Sequence, residues 1–202
     1  MIEDVDASLR AALSPHLPSG VEVDFEPPGS SHAKKTPRLT MFLLRVNAVT
    51  ANMVNGYLDV RDDRGRVVAR RRAPRRYALH YLVSASGDTA TEEHALLGRA
   101  LTVLGGMDVI PPDHVLASLT EAGSPVTVHV VDEQSTRHAT ELWTAFGTRP
   151  RPFFELALNV VVNSPTDALV SVPPAASRVA VGVGRREDTE VPRRTRRLLS
   201  ED

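Results

Sequence analysis

The densest group of reactive side chains in this sequence is a run of arginines. Eight of the sixteen residues from 61 to 76 are arginine, and Asp59, Asp62 and Asp63 offset part of their charge. Guanidinium groups bind phosphates and carboxylates through paired hydrogen bonds. Three interpretations stay open: a β-ribbon that binds nucleic acid, an interface that docks on carboxylates of partner subunits, and a solvated hairpin whose charges prevent edge-to-edge aggregation.

The candidate interface residues come from this run and from the C-terminal tail. Six arginines lie between residues 185 and 202, which indicates either a solubilising tail or an arm that docks on a neighbouring subunit. A period-two valine pattern just before them predicts a strand that completes the protein's own sheet or adds to a neighbour's edge. The candidates are Arg61, Arg70, Arg71, Arg72, Arg75, Arg76, Val179, Val181, Val183, Arg193 and Arg194.

Signatures of catalysis and cofactor binding are missing from the sequence. It contains no cysteine and no phosphate-binding loop, dinucleotide fingerprint, nucleophile elbow or zinc-protease motif. Its seven histidines include no pair at the i, i+4 spacing of a helical metal site. His80 and His129 lie in predicted strands, where either is free to face solvent. We therefore predict no enzyme, no metal and no cofactor, and keep an unrecognised His/carboxylate site as an alternative.

Composition and charge predict a globular protein in the cytoplasm. The 202 residues are 42% hydrophobic and carry a formal net charge of −1, so the global charge gives no reason to expect nucleic acid. The acidic N-terminus lacks the features of a signal peptide, and no apolar run is long enough to span a bilayer. We expect no membrane insertion and no small-molecule substrate. Release from the cell inside a particle stays open.

The periodicity of apolar residues predicts the elements that carry these side chains. Helices are expected at 2–13, 91–104 and 136–146, the second with an apolar stripe and the third capped by Ser135 or Thr136. Strands are expected near 21–26, at 39–49 as a central strand, and at 75–85, 125–131 and 153–162, with a hairpin at 57–72. The stripe of the second helix comprises Leu96, Leu97, Ala100, Leu101 and Leu104.

This order of elements predicts an α+β (mixed α/β) fold, with a mixed, largely antiparallel sheet and helices packed on one face. A doubly wound parallel sheet would need a stricter alternation of strands and helices. After residue 163 the composition changes, because prolines interrupt the chain and its end is charged. We therefore predict one α+β domain at residues 1–163 and a strand with a charged arm at residues 164–202.

Several phrases, taken in order, resemble the conserved N-terminal domain of cap proteins of extracellular, phage-tail-like contractile injection systems. They are MIEDVDASL at 1–9, VEVDFEPP at 21–28, LTMFLL at 39–44, RRRAPRRYALHYLV at 70–83, EEHALLG at 92–98 and ELW at 141–143. The resemblance covers residues 1–163. It implies a tail-terminator-like fold and a structural subunit that forms a hexameric ring on the last layer of the inner tube and contacts the sheath. No catalytic residues come with it.

The resemblance leaves one alternative from a different class of protein. A nucleic-acid-binding β-ribbon protein would use the hairpin at residues 61–76, and its affinity would fall with added salt because phosphate contacts release counterions. Aromatic residues interleaved with the arginines would favour such a protein. Only Tyr77 lies close to the run, and it belongs to the apolar pattern of the next strand.

Overall fold

The structure, a computed structural model, describes residues 1–29, 36–50, 56–120, 123–131 and 139–163. The chain divides into two units, Met1–Ser171 and Val172–Asp202, and every described residue belongs to the first. The predicted domain boundary at residue 163 stays a prediction.

The described elements follow the predicted order closely. Short 3₁₀ turns at Ser14–His16 and Pro112–His114 accompany the regular elements. In chain order these are α1 (Ile2–Leu13), β1 (Glu22–Asp24), β2 (Arg38–Ala48), β3 (Tyr57–Arg61), β4 (Val67–Arg72), β5 (Arg75–Ser86), α2 (Ala90–Gly105), α3 (Ala117–Thr120), β6 (Thr127–Val130), α4 (Ala139–Phe146) and β7 (Phe153–Val162). The proposed caps of the third predicted helix, Ser135 and Thr136, lie outside the described residues.

Five of these strands form one sheet in the order β1-β2-β5-β7-β6. β1 pairs with β2 in parallel, and the other three pairings are antiparallel. The predicted mixed, largely antiparallel α+β class is therefore confirmed. β2 is an interior strand between β1 and β5, in agreement with the prediction of a central strand at 39–49. β5 lies in the middle of the sheet, because it pairs along nearly its whole length with β2 on one side and β7 on the other.

The main core lies between one face of this sheet and the first three helices. Alternate residues of β5 point into it, and Leu79, Tyr81 and Val83 are fully buried there, as their spacing predicts. α2 begins with a capping box, in which the Thr89 side chain accepts a hydrogen bond from the Glu92 backbone N–H. The predicted stripe of α2 is wrong at one position, because Leu101 lies towards solvent with 42% of its surface exposed.

The opposite face of the sheet is covered as well, which differs from the expected one-sided packing of the helices. α4 lies there. Trp143 is buried, and the centroid of its ring lies 5.9 Å from that of Phe153. The ring centroids of Phe146 and Phe42 lie 5.4 Å apart. The physical reason is that β2, β5 and β7 carry apolar residues on both faces here, including the fully buried Leu82. An uncovered second face would leave these side chains in water.

Candidate assembly surface

The arginine-rich run forms a separate two-stranded hairpin between β2 and β5, as predicted. β3 and β4 pair with each other in a sheet of their own. At its base the backbone N–H of the buried Ala73 donates to the carbonyl oxygen of Gly56 at 3.1 Å, just before β5 begins. The six candidate arginines of the run therefore lie on β3, on β4 and at the start of β5.

Asp62 organises the turn of the hairpin. Its Oδ1 accepts the backbone N–H groups of Arg64 and Arg66, each at 2.9 Å, and the Arg66 guanidinium approaches its Oδ2. The backbone N–H of Arg66, followed by the other donors, lowers the pKa of this carboxyl below its ordinary value. Gly65 adopts a positive φ of 76°, a conformation that glycine accepts without a steric cost.

Two of the six candidate arginines of the run, Arg61 and Arg70, are neutralised within the hairpin. Arg70 Nε lies 2.9 Å from Asp59 Oδ1, directly across the strand pair. Arg61 Nη2 lies 3.5 Å from Asp59 Oδ2, and Arg61 Nη1 donates to the carbonyl oxygen of Gly65. Together with Arg66 on Asp62, these side chains satisfy carboxylates of their own hairpin.

The other four candidates of the run remain exposed: Arg71, Arg72, Arg75 and Arg76. No ion pair or side-chain hydrogen bond joins any of them to another described residue. The structure thus separates the candidate set into arginines held by the hairpin and arginines available to a partner. Nothing in the spacing of the sequence distinguished the two groups, because the cross-strand register decides which arginine lies opposite an aspartate.

Each of the four exposed arginines lies opposite an apolar residue of a neighbouring strand. Arg71 and Arg72 pair in register with residues of β3, and Arg75 and Arg76 with residues of β7. The opposite residues are Leu58, Tyr57, Val162 and Val161, respectively. Cross-strand neighbours have their Cβ atoms about 4.5–5.5 Å apart, so the aliphatic part of each arginine side chain lies beside an apolar residue.

Three exposed apolar residues near this hairpin were missed by the sequence analysis. Tyr57, Val46 and Val68 expose 47%, 44% and 52% of their surface. Val68 is the extra residue of an irregularity in the β3–β4 register. Each fits the period-two pattern of a strand and is indistinguishable in the sequence from a core residue.

A partly buried polar cluster on the α4 side of the sheet consists of Arg45, His80 and Glu155. Glu155 Oε1 accepts from Arg45 Nη2 at 2.7 Å and lies 2.6 Å from His80 Nδ1. The His80 side chain is only 13% exposed, so the expectation that it is free to face solvent is wrong. The three residues lie on β2, β5 and β7, and the cluster joins these strands.

Two further polar contacts hold the helices and loops against the sheet. The phenolic hydroxyl of Tyr81 donates to Asp6 Oδ1 at 2.7 Å, which ties α1 to β5. Burial raises the pKa of the Asp6 carboxyl, and burial followed by the Asp6 contact raises the pKa of Tyr81. Near the start of α2, the buried Glu93 accepts from Arg149 Nη2 at 2.7 Å. These groups serve packing.

Within the described ranges, no group of three or more His, Asp or Glu side chains is arranged to hold a metal ion. None of the helices in the same part of the chain is long and apolar enough to cross a membrane. The remaining candidates, Val179, Val181, Val183, Arg193 and Arg194, lie outside the described residues.

The described part of the chain is an α+β domain with an arginine-rich hairpin and with polar clusters that join its strands and helices. The Pvc16 N-terminal domain family matches residues 4–177, and the chain belongs to this family. The match extends beyond residue 163, where the resemblance in the sequence ends. No curated protein sequence matches the chain significantly.

Solved structures with the same fold include two from contractile particles. One is the sheath/tube terminator of PVC, an extracellular contractile injection system, in its extended state, with a TM-score of 0.65 at 17% sequence identity. The other is the tube-terminating cap of the anti-feeding prophage, with a TM-score of 0.63 at 13% identity. These matches cover 90% and 89% of this chain. The chain spans somewhat less than two thirds of those proteins, 64% and 62% of their lengths.

Proposed function

We propose that this protein is a structural terminator subunit of a contractile injection system. It closes the baseplate-distal end of the inner tube, contacts the surrounding sheath and has no catalytic activity. The observation that carries the proposal is membership of the Pvc16 N-terminal domain family over most of the chain. The shared fold of two terminators of such particles supports it.

The proposed partners follow from what a terminator has to do. A tube end exposes a ring of unsatisfied contacts, and copies of one chain that bind head to tail close into a ring that matches it. We therefore propose a homo-hexamer bound to the inner-tube protein and to the sheath protein. The subunit is made in the cytoplasm and leaves the cell only as part of an assembled particle.

Nucleic-acid binding gains no support from the comparisons. The hairpin that would serve it neutralises Arg61, Arg66 and Arg70 with its own aspartates. These three arginines are therefore not free to neutralise phosphates, and the affinity for a nucleic acid depends on the number of phosphates that a protein neutralises.

Cryo-electron microscopy of intact particles tests the proposal directly. We expect six copies of the chain in one ring at the end opposite the baseplate. Particles from cells that lack the chain should have tubes of irregular length or open ends, and re-expression should restore the ring. Copies distributed along the particle, or located at the baseplate, would contradict the assignment.

A further inference from the structure

Four unpaired guanidinium groups lie within the six residues at the base of the hairpin. Arg71, Arg72, Arg75 and Arg76 are exposed and have no ion-pair partner among the described residues. We call these four arginines, together with Tyr57, the hairpin-base surface. Its charge is not an accident of a generally basic chain, because the formal net charge of the protein is −1.

Most arginines elsewhere in the described domain have a carboxylate partner within it. Arg45 pairs with Glu155, Arg149 with Glu93, and Arg38 with Glu22 and Asp24. Within the hairpin, Arg61 and Arg70 pair with Asp59, and Arg66 pairs with Asp62. The hairpin-base surface is where several neighbouring cations are left without a carboxylate partner among the described residues.

We propose that the hairpin-base surface binds a carboxylate-bearing protein surface on the terminal ring of the inner tube. The inference rests on the proposed function and adds which residues make the contact and what chemistry they meet. Those of the four arginines that share a face make paired hydrogen bonds to aspartate or glutamate side chains of the tube end. The exposed ring of Tyr57 and the apolar residues opposite the arginines supply the adjoining contact area.

The neighbours of the four arginines favour a protein partner over a nucleic acid. Their cross-strand residues are all apolar, and arginine beside tyrosine and aliphatic groups is the composition enriched at protein interfaces. Phosphate binding gains affinity with each free cation, and two of the three arginines near the tip, Arg61 and Arg66, are already neutralised by aspartates.

The solved structures with this fold favour the tube end over the sheath as the partner. Both are named as terminators of a tube, and only one of them is also named for the sheath. The surface lies where the hairpin joins the main sheet, just beyond the paired ends of β2 and β5, with Ala48 opposite Tyr77 as the last pair of those strands in register.

The test compares two double reversals with the same change of charge. R72E/R75E alters the hairpin-base surface, and R64E/R99E alters two exposed arginines at the hairpin turn and on α2 that have no side-chain partner among the described residues. Labelled full-length proteins are titrated onto uncapped particles from cells that lack the chain. We expect R72E/R75E to bind at least about 100-fold more weakly, because like charges facing across an interface are strongly unfavourable, and R64E/R99E to stay within about 3-fold of wild type.

A conservative variant, a test of folding and a compensating change in the partner protein keep the result interpretable. R72K/R75K retains the charge but loses the paired geometry, and we expect a loss smaller than about 10-fold. Far-UV circular dichroism and thermal unfolding show whether each variant is folded. An Asp→Arg or Glu→Arg change in the tube protein that restores binding of R72E/R75E would identify the carboxylate partner, whereas restoration by such a change in the sheath protein would overturn the assignment to the tube.

The outcomes separate this inference from the proposed function. If the wild-type protein does not bind open tube ends, the terminator function itself is wrong. If it binds, and R72E/R75E binds equally well or R64E/R99E loses as much, the hairpin-base surface is not the contact. Binding of duplex DNA that R72E/R75E abolishes and R64E/R99E leaves intact would replace the protein partner with a nucleic acid.

Discussion

The packing of α4 on the second face of the sheet makes a strong prediction for Trp143, the only tryptophan in the chain. Trp143 is 3% exposed, and the centroid of its ring lies 5.9 Å from that of Phe153 and 6.2 Å from that of Phe146. Replacing a buried aromatic residue by alanine removes transfer free energy and leaves a cavity, a loss of about 3–5 kcal/mol. The two aromatic contacts account for about 0.5–1.5 kcal/mol each beyond the buried area.

We therefore expect Trp143→Ala to lower the free energy of unfolding by about 3–5 kcal/mol and the Tm by about 6–20 °C. Urea unfolding followed by far-UV circular dichroism measures this without the lost tryptophan fluorescence. Tyr57→Ala is the matched control, since this aromatic residue is 47% exposed. Its replacement should lower the free energy of unfolding by less than about 1 kcal/mol. A loss below about 1 kcal/mol for Trp143→Ala would show that α4 does not pack on the sheet.

Two glycines and the C-terminal segment give the remaining predictions. Gly29→Ala should destabilise the protein by about 1–3 kcal/mol in urea unfolding, because Gly29 has a φ of 94° and a methyl group there would overlap the Thr148 side chain. Gly98 lies in α2 with open space around it, so Gly98→Ala should raise the free energy of unfolding by about 0.5–1 kcal/mol. A lower free energy of unfolding for this variant would mean that α2 is packed more tightly than described. Deleting residues 164–202 should leave a folded monomer that no longer joins the ring or sheath if the segment is an exchanged arm. Aggregation of the truncated protein would instead assign the segment to the protein's own sheet, and normal capping by it would remove the support for an arm.

The elements were predictable because each has a strong local signal. α1 and β5 have clear apolar periods, and the turn of the hairpin contains an aspartate and a glycine at the positions where such turns need them. These signals depend on residues a few positions apart. The family resemblance likewise rested on short phrases in a fixed order, and the fold agrees with it.

What the sequence could not provide are the properties that depend on register and on distant packing. The side of the sheet on which α4 lies is decided by apolar residues on both faces of β2 and β7, and a helical stripe does not reveal which face it will cover. The burial of His80 depends on Glu155, 75 residues further along the chain. The separation of Arg70 from Arg71 and Arg72 depends on Asp59 lying directly opposite Arg70 across the hairpin.

The separation of the arginines also follows from how the hairpin is stabilised. A two-stranded ribbon by itself is at best marginally stable in water, and this one pairs with no strand of the five-stranded sheet among the described residues. Its order depends on local interactions, chiefly the Asp62 turn and the Asp59 pairs with Arg70 and Arg61. Reversing the charge of Arg61 or Arg70 would weaken the order of the ribbon, so a loss of binding by such a variant would not identify an interface. The side chains of Arg72 and Arg75 form no ion pair with a described residue, so we expect their reversal to test recognition while the fold of the domain is retained.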